Sequence, residues 1–272
     1  MVTQIGDKTN AMRQNNLMEA IYEQLSETRF NKIKHVLETG STNSDLILKA
    51  SELSDGFLLI TDYQLDGRGR KGRTWDAPPA RNLIFSVLLH PRWPPERNQL
   101  VTPALALSTV EVLENLGLSA SVKWPNDVMI ALDDNKKIAG ILAEYIQQEN
   151  PVLIVGMGLN VGWPMQKDPG PPNSTSLRAC GVEKNKFDLL VEILKNFEKR
   201  LIEISSENGN ATFRQAHIEK SSTIGNQVKV EHVKGETIGK AVDIEKGGSL
   251  IVENEDGILS INEGDVIHLR KL

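Results

Sequence analysis

A single cysteine, Cys180, stands in a chain of 272 residues, which excludes an intrachain disulfide and a cysteine-rich zinc site. No run of about 18 apolar residues is present to span a membrane, and Met1 to Asn10 is polar where a secretory signal would be apolar. The five histidines, His35, His90, His217, His232 and His268, never fall at HxxxH or HxH spacing, so no protein-only metal site is expected. A cationic excess is also missing. The formal net charge of -5 at pH 7 gives no global attraction to nucleic acid. These absences point to a cytoplasmic chain with neither a membrane nor a nucleic-acid partner, in which anion binding must come from a local cluster of cations.

What is present suffices for a substantial core: 39% of the residues are hydrophobic, and the length suits one large domain with a small one attached. Ahead of residue 34 the ordered signal is one amphipathic helix over Asn16 to Phe30, with Leu17, Ile21 and Leu25 every fourth residue. From His35 to about Gly162, strand-like runs at Gly56 to Tyr63, Leu83 to Leu89, Lys137 to Ile146 and Pro151 to Val161 alternate with helical patterns at Ser44 to Glu52 and Leu100 to Leu116. Gly117 suits a left-handed cap after the second helix. The Pro- and Gly-rich segment Gly162 to Asn173 reads as a loop. A helix over Phe187 to Ile204 follows, with Leu190, Leu194, Phe197 and Leu201 on one stripe. Beyond Ser222 the pattern changes to short alternating strands, Gln227 to Val233, Thr237 to Glu245, Ser249 to Glu253 and Ile258 to Asn262, broken by Lys234-Gly235, Gly247-Gly248 and Asp256-Gly257. The expected fold class is α/β (α+β): an extension over 1–34, a mixed-sheet domain over 35–220 and an SH3-like β-barrel over 221–272.

Gly67-Arg68-Gly69-Arg70-Lys71-Gly72-Arg73-Thr74-Trp75 puts four cations and three glycines together without an acid. Glycine lets the backbone approach a ligand closely, so the stretch reads as a phosphate-gripping loop. GxGxxG is satisfied in form, but Pro78-Pro79 and the apolar run after it leave no helix for a dinucleotide-binding turn to open. A solvated basic turn also fits the stretch taken alone. Lys123-Trp124-Pro125-Asn126-Asp127 precedes Lys136-Lys137-Ile138-Ala139-Gly140-Ile141-Leu142, in which Lys137 stands just ahead of a small Ala-Gly step. That placement lets an ammonium enter a pocket floored by backbone, and a hairpin with exposed lysines is the alternative. In Val155-Gly156-Met157-Gly158-Leu159-Asn160-Val161 two glycines thin a strand beside a cavity, or mark a bulge with a buried asparagine.

The ordered set Gly40-Ser41-Thr42-Asn43, Gln64, GRGRKGRTW, KWPND, KIAGIL and GMGLN resembles the biotin protein ligase family, with the Thr175-Ser176-Leu177 step and the C-terminal β segment also similar. The resemblance implies ATP with Mg²⁺, biotin, and a biotin carboxyl carrier protein or carboxylase domain as acceptor; a homodimer is left open. By the same resemblance Ser41, Thr42, Asn43 and Gln64 contact the ureido head of biotin. Arg68, Gly69 and Arg70 cover biotin and the adenylate, and Lys137 lies near the carboxylate and α-phosphate. Arg73, Trp75, Asn126 and Asn160 fall on the nucleotide side. Arg70 and Lys137 are the expected catalytic cations, with Asp127 as candidate base. The loop from Leu65 to Trp75 is expected to be mobile without ligand, since its local acids are Asp66 and Asp76 alone. Lipoate protein ligase is the nearest rival, and a passive biotin-binding module another. Some family members carry an N-terminal helix-turn-helix and repress transcription. Here about 34 residues with one visible helix precede the catalytic segment, which argues against repression.

Overall fold

Every residue of Leu83–Leu89 is apolar or small, and all seven are buried, as in a strand covered on both faces. In the computed structural model, which describes residues 17–132, 134–164, 170–232 and 235–269, this strand, β3, lies inside a seven-stranded mixed sheet. With β1 (Lys32–Thr39), β2 (Phe57–Gln64), β4 (Ala120–Lys123), β5 (Asp127–Ile130), β6 (Lys136–Ile146) and β7 (Val152–Leu159), the strand order is β1-β2-β3-β7-β6-β5-β4. Strands β1 and β2 are parallel, and all other neighbours are antiparallel.

Alternation along β2 sorts its side chains between the two faces. Leu58 and Ile60 join the main core with Phe85, Val155 and Met157, under the helix at residues 17–25 (α1), α3 (Val101–Asn115) and α4 (Lys186–Ser205). Leu59 faces the other way, into a smaller cluster with Leu46 of α2 (Thr42–Leu48), Leu88 and Ile154. Gly117, at φ +82, follows α3 as expected, and Asn185 caps α4 by accepting from Phe187 N at 2.8 Å.

Several boundaries differ from the sequence reading. The first helix stops at residue 25. Helix α2 begins at Thr42 and ends at Leu48, because Ser41 caps it and accepts from Ser44 N. Strand β1 escapes a period-2 pattern because it lies at the sheet edge with half-covered side chains. Helix α5 (Glu207–Glu219) buries just Asn210, Phe213 and His217, too few apolar residues to give a stripe. Strands β4 and β5 are four residues each, too short to give a period.

Beyond α5, β8 (Gln227–His232), β9 (Gly235–Ile244), β10 (Leu250–Asn254), β11 (Gly257–Ile261) and the unexpected β12 (Asp265–His268) form an antiparallel sheet ordered β11-β10-β9-β8-β12. Among the described residues no strand pair closes it, so β11 and β12 remain its ends. Its core, with Val228, Val230, Leu250 and Val252, includes Trp124 from the turn between β4 and β5. Trp124 Nε1 donates to Gly248 O at 3.0 Å, and its backbone N donates to Thr223 Oγ1 at 3.1 Å. This tryptophan thereby anchors the small sheet against the turn that carries Asn126 and Asp127. No described helix is long and apolar enough to cross a membrane.

Candidate active site

The ends of β2, β6 and β7, the start of α2 and the turn between β4 and β5 meet around one cavity. Lining it are Ser41, Thr42 and Asn43, Gln64, Arg68, Gly69, Arg70, Arg73 and Trp75 of the basic loop, Asn126, and Lys137. Asp127 and Asn160 border an adjoining groove of about 660 Å³ that shares Trp75 and Lys137 with the cavity. That is within the roughly 300 to 1,000 Å³ of ordinary ligand sites. All the sequence-selected residues therefore converge on two connected spaces.

The cavity floor is a buried polar chain. Thr42 N and Oγ1 approach Gln64 Oε1 at 2.8 and 3.0 Å, while Ser86 Oγ lies 2.7 Å from Thr42 Oγ1 and 2.6 Å from Asn43 Oδ1. Ser86, Thr42 and Asn43 are all buried. Three oxygen–oxygen contacts here share two hydroxyl hydrogens, so one contact always lacks a proton. Ser86, inside an apolar strand, gave no sequence signal. Gly156 makes room for this chain: a Cβ there would collide with Asn43 Oδ1. Gly158 does the same for the Trp75 indole, which a Cβ would overlap.

Lys137 Nζ lies 2.6 Å from Asp127 Oδ1 and 5.5 Å from the centre of the Trp75 ring. Asp127 thus holds the ammonium at the junction of cavity and groove. Lys123 lines the groove as well; burial lowers its pKa, with Asp127 opposing. Asn126 Nδ2 donates to Ile141 O at 2.8 Å. Asn160 is buried, donating to Thr175 O at 3.1 Å and accepting from Asn82 Nδ2 at 3.3 Å. Its amide therefore braces the groove wall from within.

The basic loop closes on itself through Trp75 N to Gly67 O, 2.8 Å, and Gly69 N to Arg73 O, 2.6 Å. Its anionic partners are not local in sequence: they are Glu144 and Asp265. Arg68 Nη2 reaches both oxygens of Glu144 at 3.0 Å. Arg70, Lys71 and Arg73 converge on Asp265 at 3.3, 3.4 and 3.0 Å. Arg70 also donates to Gly264 O at 3.0 Å and to Asn126 Oδ1 at 3.4 Å. Burial lowers the Arg70 pKa, and Asp265 opposes that shift.

Residues 35–161 match the Biotin/lipoate A/B protein ligase family, and residues 223–269 match the Biotin protein ligase C terminal domain. The biotin--[acetyl-CoA-carboxylase] ligase of Mycobacterium tuberculosis is 33% identical over 244 residues, 86% of this chain and 88% of that protein. The bifunctional ligase/repressor BirA of Escherichia coli is 28% identical, over 85% of this chain and 71% of its own length. Among solved structures, the biotin protein ligase from Aquifex aeolicus in complex with biotin and ATP has a TM-score of 0.72 at 27% identity, covering 89% of this chain and all of that one. A point mutant of it in complex with biotin reaches 0.74 at 29% identity, covering 88% of this chain and 100% of its own. This chain belongs to the biotin protein ligase family.

Proposed function

We propose that the chain activates biotin with ATP, forming biotinyl-5'-AMP and pyrophosphate, and then transfers the biotinyl group to a lysine of a biotin carboxyl carrier protein or carboxylase domain. The observation that carries this reading is the hydrogen-deficient polar chain of Gln64, Thr42, Ser86 and Asn43. An N–H of a ureido ring supplies the missing hydrogen, and the ring carbonyl can accept from the Arg68 backbone N–H, since that of Gly69 is held by Arg73 O. A dithiolane ring offers neither group, so the lipoate alternative is less well supported. Leaving such a site without its partner is costly, and that cost is the basis of selectivity.

In this reading the carboxylate of biotin attacks the α-phosphate, and the bond to the pyrophosphate oxygen breaks, with pyrophosphate leaving. Both reactants are anionic, and Lys137 with Arg70 offsets their repulsion and stabilises the charge that develops. The nucleotide occupies the groove beside Trp75 and Asn160, with Asn126 and Arg73 on the cavity side of the junction. Among the described residues no three His, Cys, Asp or Glu could hold a metal by themselves. A Mg²⁺ carried on the triphosphate needs about one or two carboxylates, and Asp127 and Asp134 border the groove. Bound there, the ion adds counter-charge to the phosphates.

The acceptor amine then attacks the acyl carbon of the mixed anhydride, AMP leaves, and Asp127 is the proposed acceptor of the amine proton. Free lysine titrates at about 10.4, so it needs such help near neutrality. The basic loop keeps water from the anhydride until the amine arrives. The proposed division is an N-terminal extension (1–34), a catalytic domain (35–220) and a C-terminal domain (221–272). Biotin-dependent exchange of pyrophosphate into ATP tests the whole reading. Exchange driven by lipoate instead of biotin, or biotin binding without exchange, overturns it.

A further inference from the structure

Glu144 has no part in the chemistry above, yet its carboxylate touches both halves of the site. It lies on β6 beyond Gly140, where pairing with β5 has ended and β7 is the remaining neighbour. On one side it accepts from Asn43 Nδ2 at 2.7 Å. On the other, both its oxygens lie 3.0 Å from Arg68 Nη2 on the basic loop. Asn43 is 4% exposed, whereas the Arg68 side chain is 43% exposed. One carboxylate therefore ties a buried amide to a surface loop.

The tie has a chemical direction. A side-chain amide can turn over and exchange its oxygen with its nitrogen, and an ionised carboxylate, which only accepts, holds the nitrogen toward itself. Asn43 Nδ2 is directed at Glu144 and also at Leu142 O, 3.2 Å away, which leaves Asn43 Oδ1 to face Ser86 Oγ. Ser86 then gives its hydrogen to Asn43, and Thr42 has one hydrogen for both Gln64 Oε1 and Ser86 Oγ, so the contact without a proton is one of the two that Thr42 makes. A ligand N–H beside Thr42 meets that deficit. A neutral amide at position 144 would leave the longer bond to Leu142 O alone to hold the orientation of Asn43 and would lose the charge that holds Arg68.

We propose that Glu144 is a positioning residue that fixes the hydrogen-bond polarity of the head-group chain and clips the basic loop over the same cavity. Ligand recognition and loop placement thus depend on one carboxylate. The inference rests on the reading of this cavity as a biotin site. Glu144→Gln, nearly identical in shape, tests it in the full-length chain. The KM for biotin in pyrophosphate exchange is expected to rise roughly tenfold to hundredfold, the equivalent of one charge-assisted hydrogen bond, with the loss in KM rather than kcat. Protease cleavage within 65–75 is expected to quicken at an unaltered melting temperature. An unaltered biotin KM together with unaltered loop cleavage refutes the proposal while leaving the biotin site intact. A wild-type chain that neither binds nor turns over biotin refutes the site reading and this proposal with it. If Glu144→Gln does not fold, Arg68→Gln approaches from the exposed side: it should quicken loop cleavage, and unchanged cleavage overturns the clip.

Discussion

Lys137→Ala removes the ammonium that stands where cavity and groove meet, and its consequences follow from two contacts. First, the reacting phosphate loses a fixed cation; one preorganised charge-stabilising donor is worth about 10²-fold to 10³-fold in rate, or roughly 2.7 to 4 kcal/mol. Second, Asp127, whose Oδ1 lies 2.6 Å from Lys137 Nζ, loses its ion-pair partner while facing an anionic substrate. That adds a penalty on the order of 1 to 3 kcal/mol. Biotin-dependent pyrophosphate exchange should therefore fall by about 10²-fold or more, with ATP binding weakened as well. The fold should survive, since the Lys137 side chain is 32% exposed and belongs to no apolar cluster. The two contributions separate in Lys137→Ala/Asp127→Asn. That double variant should recover part of the lost ATP binding but not the exchange rate. Exchange at the wild-type rate in folded Lys137→Ala refutes the catalytic assignment. A double variant that binds ATP no better than the single one refutes the argument from the exposed carboxylate.

Arg70→Gly deletes the contacts to Asn126, Gly264 and Asp265 and should let the adenylate escape, so that biotin appears on bystander lysines; labelling confined to the acceptor speaks against a retaining role. Asp127→Asn should slow transfer to the acceptor more than pyrophosphate exchange, and an equal loss in both would reduce Asp127 to orienting Lys137. Stability should fall in acid in two windows. His217 is 1% exposed with neither ring nitrogen hydrogen-bonded in the described residues, and burial lowers its pKa from 6.5 to about 4. Its lowered pKa contributes about 3 kcal/mol above the unfolded value, lost as the pH falls from 6.5 to 4. For Asp62 burial raises the pKa, but hydrogen bonds and charge from His35 and Lys186 outweigh it and hold the group at about 2 against 3.8. It contributes about 2 kcal/mol that disappears between pH 3.8 and 2. Urea midpoints against pH for Asp62→Asn and His217→Phe measure both, and a variant with the wild-type profile removes that group from the account.

The sequence by itself determined the parts whose signal is local. Leu83–Leu89 is apolar except for Ser86 because both faces of β3 are covered, and the stripe through Leu190, Leu194, Phe197 and Leu201 marks α4 because that side packs on the core. The basic loop and the glycines at 156 and 158 stood out because close approach and dense positive charge restrict residue type over a few positions. Distant partnerships left no such mark. Glu144 meets Arg68 and Asn43, Asp265 gathers three loop cations, Ser86 completes the polar chain, and Trp124 seats the second sheet. Each of these contacts depends on strand order and on where β12 runs beside β8. A lone acid or serine in a strand has the same local pattern whether it faces water or a partner a hundred residues away. Side-chain periodicity reports which face is covered; the tertiary fold decides what covers it.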